Sequence, residues 1–167
     1  MLVLGLDPGT AITGYGLVRE VAGELSVVEY GAITTPAQLP EAERLLQIHR
    51  QLSALISQNK PAAMAVEKLF FSRNVRTAMA VGQARGVALL TAAQAGLPVY
   101  EYTPSEVKQA IAGYGGASKE QVQQMVQLLL GLKEAPQPDD AADAIAVAVC
   151  HLHSTRLVGL LKHVGQA

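Results

Sequence analysis

Four acidic residues, Asp7, Glu67, Asp140 and Asp143, stand where apolar runs meet breaks in the chain. Asp7 closes Leu2-Val3-Leu4-Gly5-Leu6 and precedes Pro8-Gly9. Glu67 closes Ala62-Ala63-Met64-Ala65-Val66. Asp140 and Asp143 open a third apolar segment, and on a helix residues three apart share a face. Carboxylates gathered this way suit hard divalent cations, which prefer oxygen ligands. Two such ions about 4 Å apart clamp an in-line displacement at phosphorus, so the pattern points to phosphodiester hydrolysis. Asp7 and Glu67 would supply bridging and second-metal ligands. Four ionised carboxylates repel one another, so a metal-free site should retain protons that a bound cation expels.

Taken singly, most of these residues have a plainer reading. Asp-Pro-Gly is a turn sequence, and Asp140 is an acceptable N-cap, a role Asp139 could share. In a first helical turn the macrodipole favours each carboxylate by roughly 0.3–1 kcal/mol. Glu67 is harder to explain away, because an acid ending an apolar strand contributes nothing to packing. Their joint occurrence favours chemistry.

The elements that must position these groups read as follows. Strands are predicted over 2–7, 14–21 and 25–34, an antiparallel meander with a turn at Ala22-Gly23-Glu24. A helix over 40–58 carries Leu45, Ile48, Leu52, Leu55 and Ile56 on one stripe. Lys60-Pro61 stops it before the strand ending at Glu67. A long helix over 74–95, a strand over 99–102 and a short helix from Pro104 to residue 111 come next. Ser118 is the expected N-cap of a helix through 130, and Pro136 and Pro138 precede a final helix over 139–154. The expectation is an α/β fold: a mixed five-stranded sheet, three antiparallel strands plus two parallel, flanked by helices. Residues 1–156 form a single domain and 157–167 a C-terminal tail. His151 and His153 lie on different helix faces and are assigned to the end of their helix, and His49 to a helix surface.

A chain of 167 residues, half of them hydrophobic and only 16% charged, buries a full core. No window of eighteen uncharged apolar residues occurs and the first residues are not a signal peptide, so a cytoplasmic protein is expected. The single Cys150 cannot form an internal disulfide. The net charge of −1 hides an asymmetry. Lys68, Arg73, Arg76, Arg85, Lys108 and Lys119 fall in one segment against Glu101 and Glu106 alone. A basic stretch beside an acidic cluster suits a metal-dependent enzyme acting on a polyanion, although short basic runs are often only solvated helix faces.

The chain resembles the RuvC-type crossover-junction endodeoxyribonucleases of the ribonuclease H-like superfamily over nearly its whole length. The matching stretches are Gly5-Leu6-Asp7-Pro8-Gly9 with Thr13-Gly14-Tyr15-Gly16, and Ala65-Val66-Glu67 with Phe70 and Asn74. They continue with Gly82-Gln83-Ala84-Arg85-Gly86-Val87-Ala88, Val107-Lys108-Gln109, Lys119 with Gln121-Val122, and Asp140-Ala141-Ala142-Asp143-Ala144. The first motif alone is shared with other families; the whole set in order is specific. The resemblance implies a homodimer that resolves four-way Holliday junctions by paired symmetric nicks. It implies Asp7, Glu67, Asp140 and Asp143 as catalytic metal ligands, two Mg²⁺ per subunit with Mn²⁺ as a substitute, and a branch-migration motor complex of the RuvA and RuvB type as partner. Asp139 departs from the pattern as an extra acid, and the family spacing favours Asp140.

Around this site, Phe70 suits stacking on an unpaired base, worth roughly 1–3 kcal/mol, while Phe71 is assigned to packing. Arg73, Asn74 and Arg76 are expected to meet the DNA, the arginines at phosphates. Lys108 and Lys119 match basic positions used near the scissile phosphate. Gly82 and Gly86 permit a close helix contact, and a two-fold junction calls for a two-fold enzyme. The Gly113-Tyr114-Gly115-Gly116 loop lacks the Gly-Lys-Ser/Thr ending of a nucleotide site. The nearest alternative is a ribonuclease H-like nuclease that processes RNA precursors, against which Phe70 and residues 82–88 argue. A sugar-kinase or actin-like ATPase needs two such subdomains, and a junction-binding protein without catalysis needs no acidic cluster.

Overall fold

Continuous burial along the apolar runs Leu2–Asp7 and Ala63–Glu67 places one sheet at the centre of the molecule, covered on both faces. The computed structural model describes the backbone of residues 1–68 and 75–164, and the side chains of 1–68 and 78–157. Strands β1 (Leu2–Asp7), β2 (Ile12–Val21) and β3 (Glu24–Thr34) precede helix α1 (Glu41–Asn59). They are followed by β4 (Ala63–Glu67), α2 (Val75–Gln94), β5 (Val99–Tyr102), α3 (Pro104–Ala112), α4 (Lys119–Leu129) and α5 (Asp139–Val164). The sheet order is β3-β2-β1-β4-β5. The first three strands pair antiparallel, and β4 and β5 add in parallel on the other side of β1. This is the expected mixed sheet.

Each face of the sheet carries its own core. Leu4, Leu6, Leu17, Met64 and Val66 pack against α1 and α2, where Ile48, Leu52, Leu55 and Ile56 form the predicted stripe. Val3, Val18 and Ala65 pack on the opposite face against Ile145, Ala148 and Val149 of α5 and against α3 and α4. Side chains alternate along a strand, so Asp7 and Glu67 follow Val3 and Ala65 to the α5 side.

Helix α5 lies directly on strand backbone. A Cβ at Gly5 would overlap the Ala144 carbonyl and Ala148. One at Gly14 would overlap the backbone of Asp140, and one at Gly16 would meet Ile145. Gly5 and Gly16 are register partners, so these glycines and the alanines of α5 form one close seam.

Two boundaries differ from expectation. Strand β2 starts at Ile12, because Ile12 and Thr13 continue the ladder to Thr34 and Ile33. Helix α5 runs to Val164, so the residues assigned to a tail continue the helix up to that point. Past the expected end at 154, Ser154 Oγ donates to the Cys150 carbonyl at 2.8 Å, and Thr155 Oγ1 to the His151 carbonyl at 3.1 Å, so both side chains bond back into the helix. The Ser118 cap is present as a capping box with Gln121, and Thr103 makes a second with Glu106. Among the described residues no helix is long and apolar enough to cross a membrane.

Candidate active site

Parallel pairing of β1 with β4 runs from Val3 opposite Ala63 to Leu6 opposite Val66. The next residue on each strand is acidic, so Asp7 and Glu67 end side by side on the same face. Across β1 the partner of Asp7 is Gly14, and over Gly14 sits the first turn of α5 with Asp140 and Asp143. The sheet and one helix thus deliver all four carboxylates to one end of the molecule.

Their proximity appears in their acidities. Burial, then the charges of Asp143, Asp140 and Glu67, pushes the Asp7 carboxyl up from 3.8 to about 7, with Lys119 opposing the rise. Burial and Asp143 raise Glu67, against the pull of Lys108. Burial raises Asp143 as well, with Lys119 acting in the other direction. Crowded, partly desolvated acids hold protons until a cation compensates them.

Lys119 is the first residue of α4, placed by the Ser118 cap. Its Nζ lies 3.0 Å from Asp143 Oδ2 and 3.4 Å from Asp139 Oδ2. Burial opposes its charge, but the hydrogen bond and charge of Asp143, joined by Asp139, outweigh that and hold the ammonium above its ordinary value. Asp140 is one of the charges acting on Asp7, whereas the exposed Asp139 turns to Lys119. Both adjacent acids act on Asp143, Asp139 ahead of Asp140. A cleft of about 200 Å³ opens beside this group, lined by Glu67, Lys108, Lys119 and Asp143 with Val107 and Val147 among its apolar walls. The larger hollow, about 610 Å³, lies at the other end of the parallel strands, by Pro61 and Pro98, and contains no acid.

The donor set fits a hard divalent ion: every candidate ligand is a carboxylate oxygen, and such an ion cancels the charge crowding that adds to burial in raising Asp7. Among the described residues no three acidic, histidine or cysteine groups already stand together as a cage. Lys119 supplies the positive charge on Asp143.

Several supporting residues were not singled out for this role from the sequence. Thr13 Oγ1 donates to the Gly9 carbonyl at 2.7 Å, closing the turn after Asp7. Thr10 is buried and donates to the Ala80 carbonyl of α2 at 2.7 Å. Thr35 Oγ1 donates to the Thr10 carbonyl at 2.6 Å and accepts from Arg44 Nε at 2.8 Å. Such pins have no sequence signature, since they join segments far apart in the chain.

The histidine assignments are corrected. His151 is buried, with Nδ1 2.7 Å from the Tyr102 hydroxyl and its ring 4.3 Å from that of Tyr100. His153 Nδ1 lies 3.1 Å from the Ala110 carbonyl of α3, and His49 Nδ1 lies 2.8 Å from Thr91 Oγ1 of α2. Tertiary contacts use His151 and His153 because α5 continues well beyond them, and His49 because α1 packs on α2. Arg85 forms an ion pair with Glu101, which removes it from the basic surface. Burial raises the Cys150 thiol to about 12, leaving it inert. Phe70, Phe71, Arg73 and Asn74 lie outside the described residues, as does the Arg76 side chain.

A family model described as crossover junction endodeoxyribonuclease RuvC matches residues 3–151. Proteins of that name from Syntrophomonas wolfei and Desulfitobacterium hafniense are 60% and 58% identical, over 97% and 100% of this chain and 94% and 99% of theirs. The structure of T. thermophilus RuvC in complex with Holliday junction substrate is 42% identical with a TM-score of 0.89, covering 94% of this chain and 96% of that one. The yeast mitochondrial Holliday junction resolvase Ydc2, 13% identical at a TM-score of 0.64, covers 90% of this chain and 78% of its own and shares the fold. With a matching sheet, matching length and identity of this order along the whole domain, the chain belongs to the RuvC family of crossover junction endodeoxyribonucleases.

Proposed function

We propose that this protein resolves four-way DNA junctions by hydrolysing phosphodiester bonds at the end of the sheet where Asp7, Glu67, Asp140 and Asp143 meet. The observation that carries the reading is the Asp7 carboxyl, brought to about 7 first by burial on the strand end and then by the charges of Asp143, Asp140 and Glu67 around it. A purely structural cluster would gain nothing from such mutual repulsion.

In this reading the four carboxylates hold two divalent ions, Mg²⁺ by preference with Mn²⁺ able to substitute. The ions supply charge stabilisation at the phosphoryl group and a nucleophilic water at neutral pH. The chain's own residues do the rest. Asp7 and Glu67, fixed on adjacent strand ends, orient the site from the sheet side; Asp140 and Asp143 close it from α5. Lys119 presents an ammonium beside Asp143, where it stabilises negative charge developing on the phosphate. Lys108 faces the same cleft from α3. Phe70, Arg73, Asn74 and Arg76 are assigned to the DNA on the family pattern.

A junction with two equivalent strands to cut calls for a two-fold enzyme. Helix α2 offers the seam. Met79, Gln83, Gly86 and Leu90 share one face, Met79 and Leu90 are 61% and 57% exposed, and a side chain at Gly86 would meet nothing. The reading also includes a cytoplasmic setting and a motor complex of the RuvA and RuvB type acting on the same junction.

The test is cleavage of a synthetic four-way junction in Mg²⁺ or Mn²⁺, compared with linear duplex and with RNA. The expected result is paired nicking of the junction alone, with Asp7→Asn abolishing cutting while junction binding persists. Native-rate cutting by Asp7→Asn would overturn the mechanism, and preferential cutting of RNA would overturn the substrate.

A further inference from the structure

The turn that carries Asp7 is pinned from three sides. Thr13 holds the Gly9 carbonyl from β2. Thr35 holds the Thr10 carbonyl at 2.6 Å, and the Thr35 amide donates to the Ala11 carbonyl at 3.0 Å. These bonds fasten the turn to its own sheet. The Thr10 hydroxyl does something different: it crosses to α2 and donates to the Ala80 carbonyl at 2.7 Å. Thr10 is only 3% exposed, so this hydroxyl has no recourse to water. Burial of an unpaired hydroxyl is costly, which makes the bond a strict distance constraint rather than an optional contact.

We infer that Thr10 is a positioning residue that ties the Asp7 carboxylate to helix α2, so that the divalent-ion affinity of the site follows the Thr10 hydroxyl. The inference rests on the assignment of Asp7 as a metal ligand. Two features favour a role beyond stability. Thr10 follows Asp7 by three residues within one tight turn, so moving the Thr10 end moves the strand end that bears the carboxylate. The acceptor, Ala80, adjoins Met79 on the helix assigned to the dimer seam. A shift of α2 therefore reaches the turn after Asp7 through this bond, in addition to the apolar packing of Ala84 and Ala88 in the core that holds Leu4 and Leu6. Groups that orient metal ligands from behind are worth about 10–100-fold in metal affinity or activity when removed.

Two variants separate positioning from packing. Thr10→Val keeps the shape and loses the hydroxyl; Thr10→Ser keeps the hydroxyl and loses a methyl group. Mn²⁺ alone is titrated calorimetrically into each full-length protein, with thermal unfolding and sedimentation measured in parallel. The expected result is Mn²⁺ affinity about tenfold or more weaker in Thr10→Val and within about threefold of native in Thr10→Ser, even if the serine variant melts lower. Single-turnover cutting at saturating junction should follow the same order, with junction affinity unchanged. Native Mn²⁺ affinity in Thr10→Val overturns the proposal. So does loss of affinity in Thr10→Ser while that variant remains folded, because affinity would then follow the methyl group. If Thr10→Val fails to fold, the serine variant alone decides. Failure of native protein to cut junctions would count against the enzymatic reading, whereas the metal titration still judges Thr10.

Discussion

Gly14 stands opposite Asp7 in the β1–β2 ladder, and the space its side chain would need is filled by the backbone of Asp140. The missing side chain of one residue thus sets how near two carboxylates come. Gly14→Ala should therefore lift the start of α5 off the sheet. The expected cost is about 1–3 kcal/mol by urea unfolding, the usual range for forcing a group into a filled core. Junction cutting should be lost to a greater extent than stability. An alanine variant with native stability and native cutting would show that α5 does not need this contact.

Acidity at Asp7 links metal to stability. Between its ordinary value of 3.8 and about 7, the carboxyl is ionised in the unfolded chain but protonated in the fold. The folded state then binds more protons, so metal-free stability declines as pH rises through that window. A divalent ion requires the ionised form, so its stabilisation should grow over the same range. Melting curves with and without Mg²⁺ should diverge as the pH is raised from 5 to 8, and Asp7→Asn should remove most of the divergence. Equal curves at both pH values would refute the linkage.

Lys119 separates stability from chemistry. Its side chain is 48% exposed, and ion pairs of that kind contribute about 0–1 kcal/mol. Lys119→Met should leave unfolding within about 1 kcal/mol of native. Its cutting rate should fall by about 100-fold, the scale seen when a group that stabilises developing charge is removed. A parallel loss of stability and rate would assign the lysine to architecture instead.

Sedimentation tests the α2 seam. Met79→Glu places a charge on the most exposed part of the apolar stripe, which should convert a dimer to monomers while leaving each subunit folded. Unchanged sedimentation would move the interface elsewhere.

The strands and the mixed sheet they form were legible in the sequence because each strand depends on local pattern. An apolar run ending in a charge followed by Pro-Gly signals a strand end, and parallel pairing of β1 with β4 follows from the connecting helix. The choice of Asp140 over Asp139 rests on spacing alone; in the structure Asp140 acts on Asp7, and both Asp139 and Asp140 act on Asp143. What could not be read depends on contacts between distant segments. His151 looked like a helix-end residue but is a buried partner of Tyr102. The final helix was expected to end at 154, but Ser154 and Thr155 bond back into it and it continues to Val164. Thr10 carried no sequence signal, and only the packing of α2 discloses what its hydroxyl holds.

Strand β1 is the first element of the fold and α5 the last, yet both supply acids to the same centre. While the polypeptide is still being synthesised, the early domain can form its meander and helices but has no Asp140 or Asp143 beside Asp7. Contacts so far apart in sequence are the latest to be satisfied. The proposed centre is therefore assembled only when the two ends of the domain meet, since neither end carries all four acids by itself.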